Sequence, residues 1–406
     1  MKHGWTYKPL GEVITVKSGY TPNASELSNE GDIPYFKVAE MNLPRNEKYL
    51  YDTPQFVITP KSTFPKGSIV FPKNGAAIGT NKKRILVTPS VVDLNTAVAI
   101  PNSEIESNFL YYIFQKIDFR LITRRGTVPT LDLKELKNIT IPVPSKDEQI
   151  SICSLLDKMN RVIEAKKEQL KELDNLAQAI FYDMFGDPIS NKKNWGYCTL
   201  AELITDSVIL YHLDGNHGGD YPRSEEFVGA GVPYIGANAI INGNVDFSMA
   251  KYLTLERAKQ LRKGIAQNND VLFAHNATVG PVAILKTNEE KVILSTSLTA
   301  YRCNEDKMLP YFLKAYMKSE WFVCQYKKVM KQATRNQVPI TKQKEMLFIL
   351  PPLPLQQAFA EKVEAIERQK ELINQSLREV QTLFDSRMDY WFSEEDDDFG
   401  QLDKLD

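Results

Sequence analysis

The 406-residue sequence lacks the features of a membrane or secreted protein. It has no apolar run of roughly eighteen residues, the length that a membrane-spanning helix needs. Its N-terminus, MKHGWTYKPLGEV, has no apolar stretch of signal-peptide length. The four cysteines are far apart and form no Cys-x-x-Cys pair. We therefore expect a cytoplasmic protein without a metal site.

Motifs for catalysis are also scarce. There is neither a phosphate-binding Gly-x-x-x-x-Gly-Lys-Ser/Thr loop nor a Gly-x-Ser-x-Gly elbow. Asp32–Tyr35 and Glu225–Gly231 resemble the base-holding and S-adenosylmethionine-binding motifs of an amino-methyltransferase. A cofactor loop needs a helix directly after its glycines, whereas Pro233 and Tyr234 favour a strand. We predict no catalytic residues, with a self-sufficient DNA adenine methyltransferase as the alternative.

What the sequence does contain is an internal repeat. The whole sequence is also too long to fold around one ordinary hydrophobic core. Runs such as GSIVF and DVLFA predict strands, and NFLYYIFQKI predicts a helix, so each copy is a mixed domain of the α+β class. The matching stretches, in the same order in both copies, are Ile33–Val38 with Val232–Ala237, Gly67–Ala76 with Asn269–Thr278, Asn108–Tyr112 with Pro310–Lys314, and Gly126–Pro129 with Asn336–Pro339.

Each copy ends in a proline-rich break, Ile141–Pro144 or Pro351–Pro354, which neither a helix nor a strand ladder can cross. A long segment with apolar residues every three or four positions follows, and the two patterns are related by a shift of 207 residues. Such a seam predicts a coiled coil between two helices, each about 60 Å long. The seam residues are Ile152, Leu156, Met159, Ile163, Leu170, Leu173 and Ile180 in the first helix, and Phe359, Val363, Ile366, Ile373, Leu377, Val380 and Phe384 in the second.

The predicted organisation is therefore a mixed domain at 1–144, a helix at 145–187, a mixed domain at 188–354, a helix at 355–393 and an acidic tail at 394–406. The two mixed domains each carry a net charge of +5, whereas 145–187 carries −3 and 355–406 carries −8. Basic segments suit contact with phosphate, and acidic helices are expected to meet protein.

This organisation, together with the run from Gly126–Pro129 through Ile139–Pro144 into Asp147–Ile150, resembles the specificity subunit of a type I restriction–modification system. The resemblance implies two target recognition domains separated by two antiparallel spacer helices, with a pseudo-two-fold internal repeat. In that family each domain contacts half of a split site in double-stranded DNA. Two methyltransferase subunits and two restriction motor–nuclease subunits are the implied partners, and they would bind S-adenosylmethionine, ATP and Mg. A coiled-coil scaffold that does not bind DNA remains the other alternative.

Polar and basic loops beside strand ends are the candidate DNA contacts, since Asn and Gln pair with adenine and cations bind guanine or phosphate. In the second domain, Gln332, Asn336 and Gln337 are the types that contact bases, and Lys331 and Arg335 suit phosphate. The candidates are Lys37, Lys73, Asn74, Lys82, Lys83, Arg84, Arg124, Arg125 and Thr127 in the first domain, and His275, Asn276, Lys331, Gln332, Arg335, Asn336 and Gln337 in the second.

Overall fold

The computed structural model describes residues 4–124, 126–217, 220–331 and 336–393. They form two compact units. The first unit extends to Lys166 and resumes at Ser376, and the second runs from Lys167 to Gln375. Each unit contains one mixed domain together with part of each of the two longest helices.

The first domain is built on a five-stranded sheet of order β2-β10-β7-β8-β5. Its middle strand β7, Ile-Val-Phe-Pro, is buried along its whole length. The helices are α1 (Leu10–Val13), α2 (Ser107–Lys116) and α3 (Leu133–Asn138). The strands are β1 (Thr6–Pro9), β2 (Ile14–Ser18), β3 (Leu27–Ser28), β4 (Tyr35–Phe36), β5 (Tyr49–Leu50), β6 (Phe56–Val57), β7 (Ile69–Pro72), β8 (Arg84–Leu86), β9 (Val91–Val92), β10 (Thr96–Pro101), β11 (Thr123–Arg124), β12 (Thr130–Leu131) and β13 (Thr140–Val143).

The first long helix, α4, spans Lys146–Phe185, and the second domain follows it. That domain contains a four-stranded sheet of order β15-β25-β22-β23 and a five-stranded sheet of order β16-β20-β17-β24-β21. Its strands are β14 (Tyr197–Thr199), β15 (Ile209–Asp214), β16 (Phe227–Val228), β17 (Val232–Ile235), β18 (Ile240–Ile241), β19 (Asn244–Val245), β20 (Lys251–Leu253), β21 (Ile265–Ala266), β22 (Val271–Ala274), β23 (Val282–Ile284), β24 (Val292–Leu294), β25 (Leu298–Cys303) and β26 (Leu347–Ile349). Its helices are α5 (Leu200–Thr205), α6 (Leu255–Gln260), α7 (Pro310–Lys318), α8 (Glu320–Lys331) and α9 (Ile340–Gln343), and the second long helix, α10 (Leu353–Phe392), comes after β26.

The two domains share a central frame, as the repeat predicts. The order β2-β10-β7-β8 in the first sheet corresponds to β15-β25-β22-β23 in the second. The turn before the buried strand is also the same, because Gly67 and Asn269 both adopt positive φ angles, 85° and 73°. Both residues donate their backbone N–H over 2.8 Å to a leucine carbonyl, of Leu86 or Leu285.

One of the predicted repeat matches is shifted by a residue. The sequence pairs Asn108–Tyr112 with Pro310–Lys314, but the structure aligns the buried Phe109-Leu110 of α2 with the buried Phe312-Leu313 of α7. The reason is that the helix face in contact with the core sets the equivalence. The two phenylalanines both have no exposed surface.

The long helices confirm the spacer prediction. Each has 40 residues, and both ends of α10 follow those of α4 by 207 positions. In the second unit, Asp174 of α4 lies 3.0 Å from Lys370 of α10. The rings of Phe185 and Phe359 lie 5.3 Å apart. Later residues of α4 thus meet earlier residues of α10, so the helices pair in antiparallel orientation.

None of the predicted seam residues is exposed, although their burial varies. Half-buried members of the seam are Met159, Leu173, Ile180, Ile373, Leu377, Val380 and Phe384. Fully buried members are Ile152, Leu156, Ile163, Leu170, Phe359, Val363 and Ile366. The seam also contacts the domains: Ile152 and Leu156 share a core with α2, and Phe359 and Val363 share one with α7.

The segments that resemble a methyltransferase lead into strands. Glu225–Gly231 precedes β17, and Asp32 lies shortly before β4. The glycines of Glu225–Gly231 therefore do not stand at the start of a helix, which a phosphate- or cofactor-binding loop requires. The expectation that Pro233 and Tyr234 belong to a strand is confirmed.

Candidate nucleic-acid interface

Two candidate stretches of the first domain meet in one place. Beyond β7, Asn74 forms an isolated β-bridge with Thr130. Two backbone hydrogen bonds of 2.8 and 2.9 Å flank this bridge; they run from Gly75 to Pro129 and from Leu131 to Lys73. We call residues 73–75 and 126–131 the first loop pair. Folding thus brings together segments that lie some fifty residues apart along the chain.

The second domain repeats this arrangement at the end of β22. Asn276 forms an isolated β-bridge with Gln337. Flanking backbone bonds of 3.0 and 2.7 Å run from Ala277 to Asn336 and from Val338 to His275. The Asn336 side chain adds a bond from Nδ2 to the Ala277 carbonyl, 2.6 Å long. Residues 275–277 and 336–338 form the second loop pair.

The bonding pattern corrects the predicted alignment of these loops. The sequence pairs Gly126–Pro129 with Asn336–Pro339 because both contain Val-Pro. In the structure, Asn336 occupies the position of Pro129, since each carbonyl accepts the same backbone bond. The predicted match is therefore three residues out of register, and the shared Val-Pro does not mark equivalent positions.

The turn in each loop pair has a residue with a positive φ angle at the same place. Gly75 has a φ of 78° and Ala277 a φ of 63°. A positive φ costs an alanine roughly 1–3 kcal/mol, so the surrounding bonds must hold Ala277 in this conformation. The second loop pair thus keeps its shape without the glycine that favours it in the first.

Side chains at and beside the first loop pair differ in their exposure and in their hydrogen-bond partners. Thr127 is exposed, and Asn74 is half-buried. Lys73 is half-buried and donates from Nζ to Ser18 Oγ over 2.6 Å. Arg124, just before the loop pair, is exposed but forms an ion pair of 2.5 Å with Asp132. These four residues remain candidates for DNA contact.

Lys83 lies in the interior of the first domain, and Arg84 beside it is half-buried. The Lys83 side chain is fully buried, donates to Asn81 Oδ1 over 2.8 Å and to the Ile117 carbonyl over 2.7 Å, and burial lowers its pKa to about 7. Arg84 donates to backbone carbonyls, including that of Met41 at 3.0 Å. The prediction of Lys83 as a DNA contact conflicts with this placement, because a fully buried amine has no surface to offer a phosphate. Arg84 is half-buried and stays a prediction.

Two other predicted lysines bind polar side chains of the first domain. Lys82 donates to Asn42 Oδ1, and Lys37 donates to Gln55 Oε1. Both are half-buried, and neither lies in the first loop pair. Lys37 and Lys82 stay predicted DNA contacts. Each would have to leave its present hydrogen-bond partner to contact DNA.

His275 is also buried, with 5% of its surface exposed. Its Nδ1 lies 2.8 Å from Thr299 Oγ1, and burial lowers the pKa of the imidazole to about 4. The ring is therefore neutral near pH 7. Its prediction as a DNA contact conflicts with the structure, and Asn276, Asn336 and Gln337 are the side chains nearer the surface.

Arg125, Gln332 and Arg335 lie outside the described residues, as does the tail from 394 onward. Among the residues that the structure describes, no group of three or more His, Cys, Asp or Glu side chains could hold a metal ion. No helix in the described ranges is long and apolar enough to cross a membrane.

Comparison with known families gives a direct result. The family model described as "Type I restriction modification DNA specificity domain" matches the chain twice, at residues 2–175 and 209–382. The two matches cover most of the chain and are related by the same shift of 207 residues as α4 and α10. The chain belongs to the type I restriction–modification specificity family.

Curated relatives and solved structures agree with this assignment. The chain is 24% identical over 399 residues to the type I restriction enzyme MjaIX specificity subunit of Methanocaldococcus jannaschii, covering 89% of this chain and 86% of the relative. It is 22% identical to the MjaVIII specificity subunit of the same organism, covering 93% and 91%. The crystal structure of a type I S subunit from M. genitalium matches with a TM-score of 0.57 at 16% identity, covering 96% of both chains.

The protein is thus a specificity subunit of a type I restriction–modification system, with two DNA recognition domains and no catalytic role of its own. This membership confirms the predicted fold: two similar mixed domains and two long antiparallel helices in a repeated chain. We call the mixed domains recognition domain 1 and recognition domain 2, and α4 and α10 the spacer helices.

Sequence reasoning missed a basic helix in recognition domain 2. Helix α8 ends at Lys331, five residues before Asn336, and also carries Lys327 and Lys328. All three lysines are exposed, and none takes part in an ion pair within the described part of the chain. Phe322 and Tyr326 anchor the opposite face on Phe273 of β22. The signal was available as lysines spaced three and four residues apart in a helical segment.

Proposed function

We propose that the two loop pairs contact the two halves of a split target in double-stranded DNA, one recognition domain per half. The observation that carries this proposal is the repeated loop pair, held by the same bridge and the same backbone bonds on the same sheet frame. Amide side chains stand at both loop pairs: Asn74 in the first, and Asn276, Asn336 and Gln337 in the second. Such amides can form two hydrogen bonds with adenine in the major groove.

Two domains on one chain would recognise a split target better than either alone. Once one domain is bound, the other acts at a high effective concentration, so weak contacts add up to a specific complex. A spacer helix of 40 residues is about 60 Å long, and DNA advances about 34 Å per turn. Half-sites about one to two turns apart suit this length.

We further propose that two methyltransferase subunits and two restriction motor–nuclease subunits dock on the spacer helices in the cytoplasm. Support comes from the acidic balance of 145–187, which suits protein contact better than DNA contact. A solved chain of similar fold, with a TM-score of 0.50 at 17% identity, comes from work on complex assembly of the type I R-M system. S-adenosylmethionine, ATP and Mg would be bound by those partners.

The experiment that tests the proposed function removes four residues, about one helical turn, from both spacer helices. The modified adenines of a host that makes the shortened chain with its methyltransferase subunits are then mapped. We expect both half-sites to keep their sequence and the gap between them to shorten. A gap that keeps its length would contradict the proposal.

The methyltransferase alternative is tested separately. Purified chain is incubated with DNA and labelled S-adenosylmethionine, with and without a methyltransferase subunit. We expect transfer only when that subunit is present, and transfer by the chain alone would favour the alternative. A scaffold that does not bind DNA would instead select no sequence from a randomised duplex library.

A further inference from the structure

A fully buried glutamine joins each spacer helix to its recognition domain. Gln149 is the fourth residue of α4 and Gln356 the fourth residue of α10, and neither has any exposed surface. Buried glutamine is uncommon unless its amide is fully hydrogen-bonded, because an unpaired polar group in the interior is costly.

In recognition domain 1, Gln149 makes three bonds. Its Nε2 donates to the carbonyls of Glu104 and Pro144, both over 2.9 Å, and its Oε1 accepts from the backbone N–H of Glu106 over 2.8 Å. Pro144 belongs to the link before α4, and Glu106 directly precedes α2. The amide therefore ties the spacer helix, the link and the start of α2 together.

Recognition domain 2 contains the same three bonds. Gln356 Nε2 donates to the carbonyls of Lys307 over 3.1 Å and Pro351 over 2.8 Å, and Oε1 accepts from the backbone N–H of Leu309 over 2.9 Å. Leu309 directly precedes α7, the counterpart of α2. The two repeats of the chain differ in most side chains, yet both keep this hydrogen-bonded joint between domain and spacer helix.

The joint lies where a domain could pivot. Only a few residues separate β13 from α4 and β26 from α10. Apolar packing against the helix resists separation but has little directional preference, whereas three hydrogen bonds fix an angle. A pivot of about 10° acting over roughly 20 Å, the size of a small domain, moves a loop by about 3.5 Å, close to one base-pair step.

We propose that Gln149 and Gln356 are positioning residues that restrict the number of base pairs between the two half-sites. The inference rests on the proposed function, since it concerns the gap of a split target. Each glutamine fixes its recognition domain on its own spacer helix, and the preference for one gap length follows from the two fixed joints.

The test uses the full-length chain, with its methyltransferase subunits, carrying Gln149→Met, Gln356→Met or both. Methionine keeps the length of the side chain and removes all three bonds. Duplexes that carry the selected half-sites at a series of gap lengths compete for the complex. We expect each single variant to reduce the preference for the best gap over its neighbours by roughly tenfold, and the double variant by more.

A matched control is Gln343→Met. Gln343 is equally buried and donates to Thr299 Oγ1 and to the Val338 carbonyl, but it lies in α9 and not in a spacer helix. We expect this variant to lower the stability of recognition domain 2 and its affinity for a half-site, while the preferred gap stays sharp. Broadening of the gap by Gln343→Met as well would mean that general loosening is responsible, and would overturn the inference.

If the Gln149 and Gln356 variants bind both half-sites with an unchanged gap preference, this inference is overturned, whereas the proposed function still holds. Where the methionine variants do not fold, Gln149→Glu and Gln356→Glu keep the acceptor for the backbone N–H and lose the donors, and the same gap measurement decides. A wild-type complex that selects no split target would contradict the proposed function itself, together with this inference.

Discussion

Recognition domains 1 and 2 have the same loop pair but present different charges around it. In domain 1, two arginines near the loop pair form ion pairs: Arg120 with Asp118 and Arg124 with Asp132. In domain 2, helix α8 presents three exposed lysines without such partners among the described residues. The shared frame depends on backbone hydrogen bonds, which residues other than proline can donate whatever their side chain. The side chains around it are therefore free to differ, and two halves of one chain can bind different half-sites.

The largest effect is expected from α8. Replacing Lys327, Lys328 and Lys331 by Gln should weaken DNA binding on the order of a hundredfold at about 0.1 M salt. The salt slope, which is the steepness with which log affinity falls as log salt concentration rises, should decrease by about 2.7, because each phosphate contact contributes about 0.9. Titration of labelled target duplex at several salt concentrations measures both.

The matched control replaces three exposed lysines outside the recognition sheets, Lys158, Lys192 and Lys362, by Gln. Its net charge change is the same, so it separates local contact from overall charge. An equal loss of slope in both variants would show that α8 has no special part in binding, and would remove the charge contrast between the domains.

A second contrast concerns the strand that follows each loop pair. Lys83 in domain 1 corresponds to Val282 in domain 2, and both are buried. The unfolded chain keeps Lys83 protonated up to its ordinary pKa of 10.5, whereas the folded chain releases the proton near pH 7. Stability of domain 1 should therefore rise with pH above 7, by about 1.4 kcal/mol per unit at most.

Lys83→Met should remove this dependence. Hydrogen exchange of the β7 amides, measured between pH 7 and pH 9 in both proteins, gives the difference in opening free energy after correction for intrinsic exchange. If the two proteins show the same pH dependence, the buried amine is not the group that titrates.

The positive-φ residues of the two loop pairs, Gly75 and Ala277, allow a reciprocal exchange between the domains. Gly75→Ala should destabilise domain 1 by about 2–3 kcal/mol, since open space surrounds the site and its φ of 78° with a ψ of −173° is a conformation that essentially only glycine adopts. Ala277→Gly should stabilise domain 2 by less, because glycine also increases the entropy of the unfolded chain. Urea unfolding measures both, and Gly79→Ala, which also faces open space and lacks a positive φ, is the neutral control. Equal effects at Gly75 and Gly79 would contradict the strain argument.

The smallest effect should come from freeing one cation of domain 1. Asp132→Asn removes the partner of Arg124 but keeps a side chain that can cap α3. We expect DNA affinity to rise severalfold and the salt slope to increase by up to about 0.9. Adding Arg124→Ala should cancel the gain, and Glu168→Gln, which frees Lys171 on a spacer helix, should change nothing.

Much of this architecture could be predicted from sequence because it depends on periodicity. The apolar positions of α4 and α10 are spaced by helix geometry, so the seam and its shift of 207 residues were available directly. The proline-rich breaks were less exact, because Ile141–Val143 pair with β1 as part of β13 and Leu353–Pro354 begin α10.

Of the predicted loops, Asn74 and Asn276 do follow strand ends, whereas Arg124 belongs to β11 and Lys331 to α8. The sequence alignment of the two repeats was wrong at Asn336 and at Pro310–Lys314. Residue identity is a poor guide where backbone hydrogen bonds or a buried helix face define the equivalent position.

The environment of each side chain could not be predicted from the sequence pattern. Lys82, Lys83 and Arg84 form one basic run, yet Lys83 is buried beside Phe119 while its neighbours bind polar groups of the domain. Gln149 and Gln356 look like ordinary polar residues in the first turn of a helix, and only their buried surroundings show three bonds each.

The sequence by itself determined the repeat, the two long helices and the balance of charge, since these follow from spacing and composition along the chain. Only the tertiary structure decided which polar side chains face solvent, which are enclosed, and which distant segments share a bridge. The physical reason is that burial and hydrogen bonding depend on neighbours far away in sequence, and those neighbours are defined only once the chain has folded.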